Sequence, residues 1–215
     1  MIVPVFDLGN VLLFVHEERF FDKLAVRCRP GAPALEVFYR EFRRHNVANG
    51  GDFNLLHPAL VREADLQMTL EEFRLAWNDA FTPNPPMLEL VAELPRPRYL
   101  LSNTNEPHVT WFRERYPQIL RVFDHCVFSN EVGVSKPDLA IYRIVESRSG
   151  RPPGAHVFFD DILANVEAAR LAGWEAYQFT GVEECRGRLE ELGVLPAEGR
   201  GLLGGQAPPP CNGSS

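Results

Sequence analysis

Five short apolar runs, each stopped by polar residues, constrain the fold of this chain more than any other feature. Ile2 to Phe6 is followed by Asp7, Gly9 and Asn10, and Arg98 to Leu101 leads into Ser102-Asn103. His125 to Phe128 leads into Ser129-Asn130, His156 to Phe159 into Asp160-Asp161, and Glu175 to Phe179 into Thr180-Gly181. Continuous runs of this length suit strands buried on both faces, as in a parallel sheet. Helical patterns lie between the later runs, for example Ile162, Val166 and Ala169, stopped by Gly173. Strands alternating with helices predict an α/β fold with right-handed crossovers and both sheet faces covered. A length of 215 residues allows one such core with a modest insertion and excludes two large domains.

The insertion lies between the first two runs, where roughly eighty residues intervene although a crossover helix needs about a dozen. Leu35, Phe38 and Phe42 share one helical face, as do Phe73, Trp77 and Phe81, and Thr69 with Glu72 forms a capping box before the second set. The insertion therefore reads as helical, leaving the core near Phe14 to His16 and returning at Pro83, Pro85 and Pro86. This predicts a discontinuous core, residues 1–15 and 87–200, around a helical segment 16–86. In residues 201–215, nine of the fifteen are Gly, Pro or Ser, the composition of a disordered tail.

Charge removes several classes of function. With 22 basic and 29 acidic residues the net charge is −7 and no basic stripe offsets it, so neither nucleic acid nor an anionic membrane is the expected partner. The first residues carry no charged segment ahead of a cleavable apolar stretch, and the longest early apolar run, Val11 to Val15, is too short to span a bilayer; a cytoplasmic location is the expectation. Cys28, Cys126, Cys185 and Cys211 are scattered without metal-ligand spacing. Two motif matches lack their context: Gly199 to Gly204 fits GxGxxG with no strand before it, and Asn212-Gly213-Ser214 fits a glycosylation sequon with no secretory route. Oligomeric state is not legible.

The strand ends are more informative, because open parallel sheets bind ligands at their carboxyl ends. A single strand-ending Asp commonly satisfies turn donors, and Ser-Asn commonly caps a helix. Asp7, Asp160 and Asp161 together at adjacent strand ends are a different matter, since three carboxylates repel unless a hard cation or a proton shares the site. A Mg²⁺ site follows as an expectation. Lys136 precedes Pro137 and a helical pattern through Tyr142 and Val145, placing an ammonium near a helix N-terminus that itself favours anions.

In order, Phe6-Asp7-Leu8-Gly9-Asn10-Val11, Leu101-Ser102-Asn103-Thr104-Asn105, Ser135-Lys136-Pro137 and Phe159-Asp160-Asp161-Ile162-Leu163-Ala164-Asn165 resemble the four motifs of the haloacid dehalogenase superfamily, over residues 1 to about 195. The resemblance is nearest to the subgroup of bacterial α-D-glucose-1-phosphate phosphatases and the amino-terminal phosphatase domain of soluble epoxide hydrolases. It implies a Rossmann-like sheet of order 5-4-1-2-3 with a helical cap after the first strand. It also implies Asp7 as nucleophile, forming an aspartyl-phosphate, with its carboxylate and the Gly9 carbonyl on Mg²⁺. Ser102 and the Asn103 amide would hold phosphoryl oxygens, Lys136 would bridge phosphate and Asp7, Asp161 would ligate the metal, and Asp160 would orient a metal-bound water. Such a set supplies the positioning and charge neutralisation on which phosphoryl transfer depends.

Gly9 departs from the family pattern, in which an acid two positions after the nucleophile protonates the leaving group. Either another group does so, the leaving group is a good one, or turnover is slow. His16 is one substitute, against its plainer reading as a structural or solvent-facing residue. The leading expectation is a Mg²⁺-dependent phosphatase of small phosphorylated metabolites, sugar phosphates foremost. A metal-independent 2-haloacid dehalogenase and a catalytically weak binding protein of the same fold are the alternatives. Phe14, His16, Phe38, Phe42 and Asn46 are the residues that would shape the substrate site.

Overall fold

A computed structural model describes residues 1–196. The tail expected at 201–215, the GxGxxG match, the sequon and Cys211 lie outside the described residues. The elements in chain order are β1 (Val3–Phe6), β2 (Leu13–Val15), α1 (Glu17–Val26), α2 (Ala34–Arg44), α3 (Leu56–Ala64), α4 (Leu70–Asn78), β3 (Phe81–Pro83), α5 (Pro85–Glu93), β4 (Tyr99–Ser102) and α6 (Glu106–Arg115). They continue with α7 (Pro117–Leu120), β5 (His125–Phe128), α8 (Ser129–Val132), α9 (Leu139–Ser149), β6 (His156–Asp160), α10 (Leu163–Leu171), β7 (Glu175–Gln178) and α11 (Val182–Glu191). None of the described helices is long and apolar enough to cross a membrane.

The five apolar runs form one sheet of order β5-β4-β1-β6-β7, with every pair parallel. Counting only these five strands and reading from the β7 edge, this is the expected 5-4-1-2-3. Side chains alternate between two cores. Phe6, Leu100 and Phe159 face one side with Leu90, Phe112 and Leu189, whereas Val5, Tyr99, Leu101 and Phe158 face the other with Tyr142, Val145 and Trp174. Pro4 lies in the central strand in register with Val157 of β6, while the ladder to β4 begins only at Val5, so on that side its missing N–H falls before the pairing starts. With β1 between β4 and β6, the ends at Asp7, Ser102 and Asp160 become neighbours at the switch point of the topology.

The inserted residues leave and return through an antiparallel ribbon, Leu13 opposite Pro83 and Val15 opposite Phe81. Three residues per strand and three prolines at the return conceal it from pattern reading. Helices α1 to α4 close over a separate aromatic core in which Phe20, Phe38, Phe53, Phe73 and Trp77 interlock, with Phe20 and Trp77 ring centroids 5.0 and 5.0 Å from Phe38. Such ring pairs contribute about 0.5–1.5 kcal/mol each beyond their area burial. The inserted segment meets α8 at a close approach: Gly50 has φ 94°, and a Cβ there would lie 2.7 Å from the Asn130 carbonyl oxygen.

Three helix readings need correction. Helix α9 starts at Leu139 and not at Pro137, because the Asp138 side chain accepts from the Ala140 N–H and caps it there. Leu35 is 50% exposed; the buried face of α2 runs instead through Ala34, Val37, Phe38 and Glu41. Phe81 belongs to β3, not to the α4 stripe. The capping box holds in both directions, the Glu72 N–H to Thr69 Oγ1 at 3.1 Å and the Thr69 N–H to Glu72 Oε2 at 2.7 Å. Thr69→Ala is expected to cost about 1 kcal/mol and to lower the melting temperature by about 2–4 °C in a chain of this size. Denaturant titration of the two proteins checks this, and an unchanged midpoint would count against it.

Candidate active site

Lys136 connects the strand ends. Its buried ammonium donates to Asp7 Oδ1 at 2.7 Å, to Asp160 Oδ2 at 2.6 Å and to the Leu101 carbonyl at 2.9 Å. All three ammonium hydrogens are thereby used. The loop carrying Lys136 is pinned by Asn103, whose side chain both accepts from the Lys136 N–H and donates to its carbonyl, each at 2.8 Å. Burial disfavours the ammonium, but Asp7 and Asp160 outweigh it and hold Lys136 above its ordinary pKa, so it is a fixed cation. For Asp7 burial dominates: Lys136 pulls the other way and Asp160 adds to the rise, leaving the carboxyl well above the usual range.

Asp160 is wholly buried and its oxygens are occupied. Oδ1 accepts from the Ile162 N–H at 2.8 Å and from Asn165 Nδ2 at 3.0 Å, while Oδ2 accepts from Lys136 and again from Asn165 at 3.1 Å. Asp161 is half-buried, and its Oδ2 accepts from Asn10 Nδ2 at 3.0 Å. Asn10 adopts φ 53°, a left-handed conformation asparagine tolerates, and its Oδ1 accepts from the Val15 N–H, which ties the Asp161 side of the site to the ribbon. Oxygens of Asp7, Asp160 and Asp161 lie within 4.8 Å of one another. Asp160 has both oxygens already engaged, so Asp7 and Asp161 are the carboxylates of this group free to reach an ion, and opposite ligands of Mg²⁺ stand about 4.2 Å apart. Three carboxylates against one ammonium leave two negative charges, which a divalent cation matches. The donor set therefore fits magnesium.

All seven residues singled out in the sequence, Asp7, Gly9, Ser102, Asn103, Lys136, Asp160 and Asp161, meet at this end of the sheet. Six of them line a single cavity of about 350 Å³, and Asp160 lies buried behind it against Lys136. That volume suits a small molecule. Of the residues suggested for substrate contact, Phe42 alone lines the cavity. Phe38 is in the aromatic core of the insertion, and Phe14 is exposed on the ribbon. Asn46 accepts from Asn49 in a turn, and His16 is held between Thr82 Oγ1 at 2.8 Å and Glu18 at 3.3 Å. The structure thus separates His16 from the cavity lining.

Sequence reading missed the opposite wall. Trp77 of α4 stacks on His108 of α6 with ring centroids 4.6 Å apart, and Asn105 Oδ1 accepts from both Trp77 Nε1 at 3.3 Å and the His108 N–H at 3.2 Å. Asn105 Nδ2 faces His108 Nδ1 at 3.2 Å, so Nδ1 accepts, and Nε2 carries the proton toward the Trp77 carbonyl at 3.4 Å. The signal available was Asn105 three positions before His108, a spacing that also describes an ordinary helix cap.

Burial lowers the His108 pKa to about 3, so it is neutral at pH 7. Because the folded value lies below the unfolded one, this group contributes stability in full above about pH 6.5 and loses it as pH falls toward 3. The loss amounts to a few kcal/mol over that window. His108→Gln, which does not titrate, is expected to show a shallower decline of unfolding free energy between pH 6.5 and 4 than wild type. Parallel slopes in pH-dependent denaturation would contradict the assignment.

A family model described as haloacid dehalogenase-like hydrolase matches residues 5–173. Among curated proteins, the phosphorylated carbohydrates phosphatase of Thermotoga maritima is 25% identical over 181 residues, 80% of this chain and 81% of that protein. Drimenol cyclase drtB of Aspergillus calidoustus is 40% identical over 81 residues, 38% of this chain, and the match spans only 15% of that protein. An aspartate-to-alanine mutant of a HAD family enzyme from Bacteroides thetaiotaomicron, solved with magnesium and inorganic phosphate, has the same fold: TM-score 0.71 at 22% identity, over 83% of this chain and 93% of that one. With the family pattern covering most of its length and the sheet, the strand-end acids and the buried lysine in the expected order, this chain belongs to the haloacid dehalogenase-like hydrolases.

Proposed function

We propose that the protein is a Mg²⁺-dependent phosphatase of small phosphorylated metabolites that works through an aspartyl-phosphate on Asp7. The observation that carries this reading is the charge arrangement: a buried carboxylate held by a fixed ammonium, beside two more acids whose surplus charge calls for a divalent cation. Asp7, Asp161 and the Gly9 carbonyl would hold the ion, which when bound neutralises phosphoryl oxygens and keeps Asp7 ionised. Asp7 attacks phosphorus as the P–O bond to the leaving oxygen opposite it breaks. As its charge passes to the phosphoryl group, the Lys136 hydrogen bond now made to Asp7 turns to a phosphoryl oxygen, the proton staying on nitrogen, because no other ammonium hydrogen is spare. The leaving oxygen takes up a proton, and a water then hydrolyses the aspartyl-phosphate to inorganic phosphate and free Asp7. Ser102 Oγ, only 3.5 Å from its neighbouring carbonyl and weakly engaged, and the Asn103 amide complete the phosphate cradle. Asp160 keeps Lys136 in place throughout, and with its oxygens already taken its expected part in orienting water is indirect.

Residues 16–86 are proposed as a cap that covers the leaving group, with 1–15 and 87–200 as the catalytic core. Sugar phosphates remain the favoured substrates, supported by the phosphatase relative and by the Trp77 and Phe42 wall on which the apolar face of a sugar can lie. A haloacid substrate is disfavoured, since its carboxylate would meet Asp161 as well as Asp7. Asp7→Asn, isosteric and able to accept from Lys136, is expected to keep the fold and lose phosphate release by at least a thousandfold, roughly the loss of a catalytic nucleophile. Chelation should do the same to wild type. Phosphate release that survives either treatment would refute the mechanism.

Gly9 supplies a second test. A Cβ at this position would lie 3.2 Å from Val15 Cγ2, a side-chain atom that can yield slightly. Gly9→Asp is therefore expected to fold and, by adding a proton donor, to raise turnover of primary-alcohol phosphates more than that of anomeric sugar or aryl phosphates. Steady-state rates on both classes, with Mg²⁺ affinity measured alongside, give the ratio; an unchanged ratio means that another group already protonates the leaving oxygen.

A further inference from the structure

The cavity has a charge asymmetry that the phosphoryl chemistry does not use. Among the described residues that line it, Lys136 is the single cation, and its three hydrogens are committed at the strand ends. On the cap side the lining carries one ionisable group, Glu17, in the first turn of α1 directly after the ribbon. Glu17 is not loose: Tyr39 of α2 donates its hydroxyl to Glu17 Oε2 at 3.2 Å, and the carboxylate in turn helps raise the tyrosine pKa, after burial. The second hydrogen-bonding face of the carboxylate remains available to a ligand, as a carboxylate accepts several bonds. The remaining cap-side wall is apolar, formed by Val15, Phe42, Ala48 and Trp77, and His108 behind it is neutral with both ring nitrogens engaged.

We infer that Glu17, braced by Tyr39, determines which leaving groups the site takes, and this rests on the phosphatase reading. It accepts from a hydroxyl or ammonium on the leaving group and repels a second anion. Bisphosphates and phosphorylated carboxylic acids are disfavoured, whereas neutral polyols and phosphorylated amines are preferred. Two like charges across a partly solvated wall, at ordinary ionic strength, discriminate by roughly tenfold. The alternative way to reject such substrates, steric exclusion, would not depend on the sign of the charge.

Three aryl phosphates of nearly equal size and with activated leaving groups separate these possibilities: phenyl phosphate, 4-carboxyphenyl phosphate and 4-(aminomethyl)phenyl phosphate. With Mg²⁺ and the full chain, wild type is expected to show kcat/KM highest for the amine and about tenfold lower for the carboxylate than for phenyl phosphate. Glu17→Gln should bring the three within about threefold, and Glu17→Lys should reverse the order, chiefly through KM. Melting curves of both variants establish folding, and the ratio between substrates reports charge even where the absolute rate falls. Turnover of all three with ratios unchanged in both variants would overturn the role of Glu17 alone. No phosphate release from any of the three by wild type would overturn the phosphatase reading and this inference with it.

Discussion

The structure depends on one buried ammonium. Moving a lysine side chain from water to the interior costs several kcal/mol unless good partners compensate, and Lys136 has two carboxylates and a carbonyl at hydrogen-bonding distance. Those partners come from three different strands: Asp7 follows β1, Asp160 ends β6, and Leu101 is in β4. The sheet order that makes β1 the neighbour of both others is therefore what permits the charge to be buried, and the buried charge in turn fixes the strand ends relative to one another. Removing either carboxylate would leave the balance wrong in one direction, and removing the lysine would leave it wrong in the other.

The second acid pair at the end of β6 divides its labour through small differences in position. Asp160 points back into the protein, where Asn165 on α10 and the Ile162 N–H saturate it. Asp161, one residue later, faces the cavity and is steadied by Asn10 from the first loop. Two adjacent residues at a strand end necessarily face opposite ways, since side chains alternate along the strand direction. The Asp-Asp sequence thus gives one buried charge that sets the lysine and one accessible charge that a ligand or ion can meet.

Much of this was legible in the sequence, and the reasons can be traced to particular residues. The five strands of the parallel sheet could be read because buried parallel strands show little polar alternation, so Val3 to Phe6 and His156 to Phe159 stand out against their surroundings. Asp7, Lys136 and Asp160 could be read because, although each alone has an ordinary explanation, several acids and a lysine at adjacent strand ends share none. Corrections arose where a local side-chain bond shifts a boundary, as Asp138 does for α9, or where an apolar residue lies on the wrong side of a helix, as Leu35 does. The wall made by Trp77, Asn105 and His108 was hidden because its members come from two helices separated in sequence, and their pairing depends on how the insertion docks. Glu17 was hidden for a simpler reason: an acid in the first turn of a helix is ordinarily explained by the helix dipole.

How the insertion docks bears on its proposed role as a cap. It meets the core through the short ribbon, through aromatic contacts of Trp77 with His108 and of Phe81 with His108 and Phe112, and through polar links: Ser129 Oγ donates to the Ala48 carbonyl at 2.6 Å, Trp77 Nε1 donates to Asn105, and Arg74 pairs with Glu106 at 2.9 Å. Interfaces of mixed polar and apolar contacts between parts of a chain are the type across which those parts move relative to one another. The groups proposed for phosphoryl transfer, by contrast, are bound to one another and to the sheet, and none of their mutual hydrogen bonds crosses to the insertion. A displacement of the insertion would therefore carry Glu17, Phe42 and Trp77 away from the cavity while leaving Asp7, Lys136 and Asp160 in register. Leaving-group selection and phosphoryl chemistry are in this way placed on separate bodies of side chains, so that substrate choice can change through the insertion without disturbing the buried charge on which the core depends.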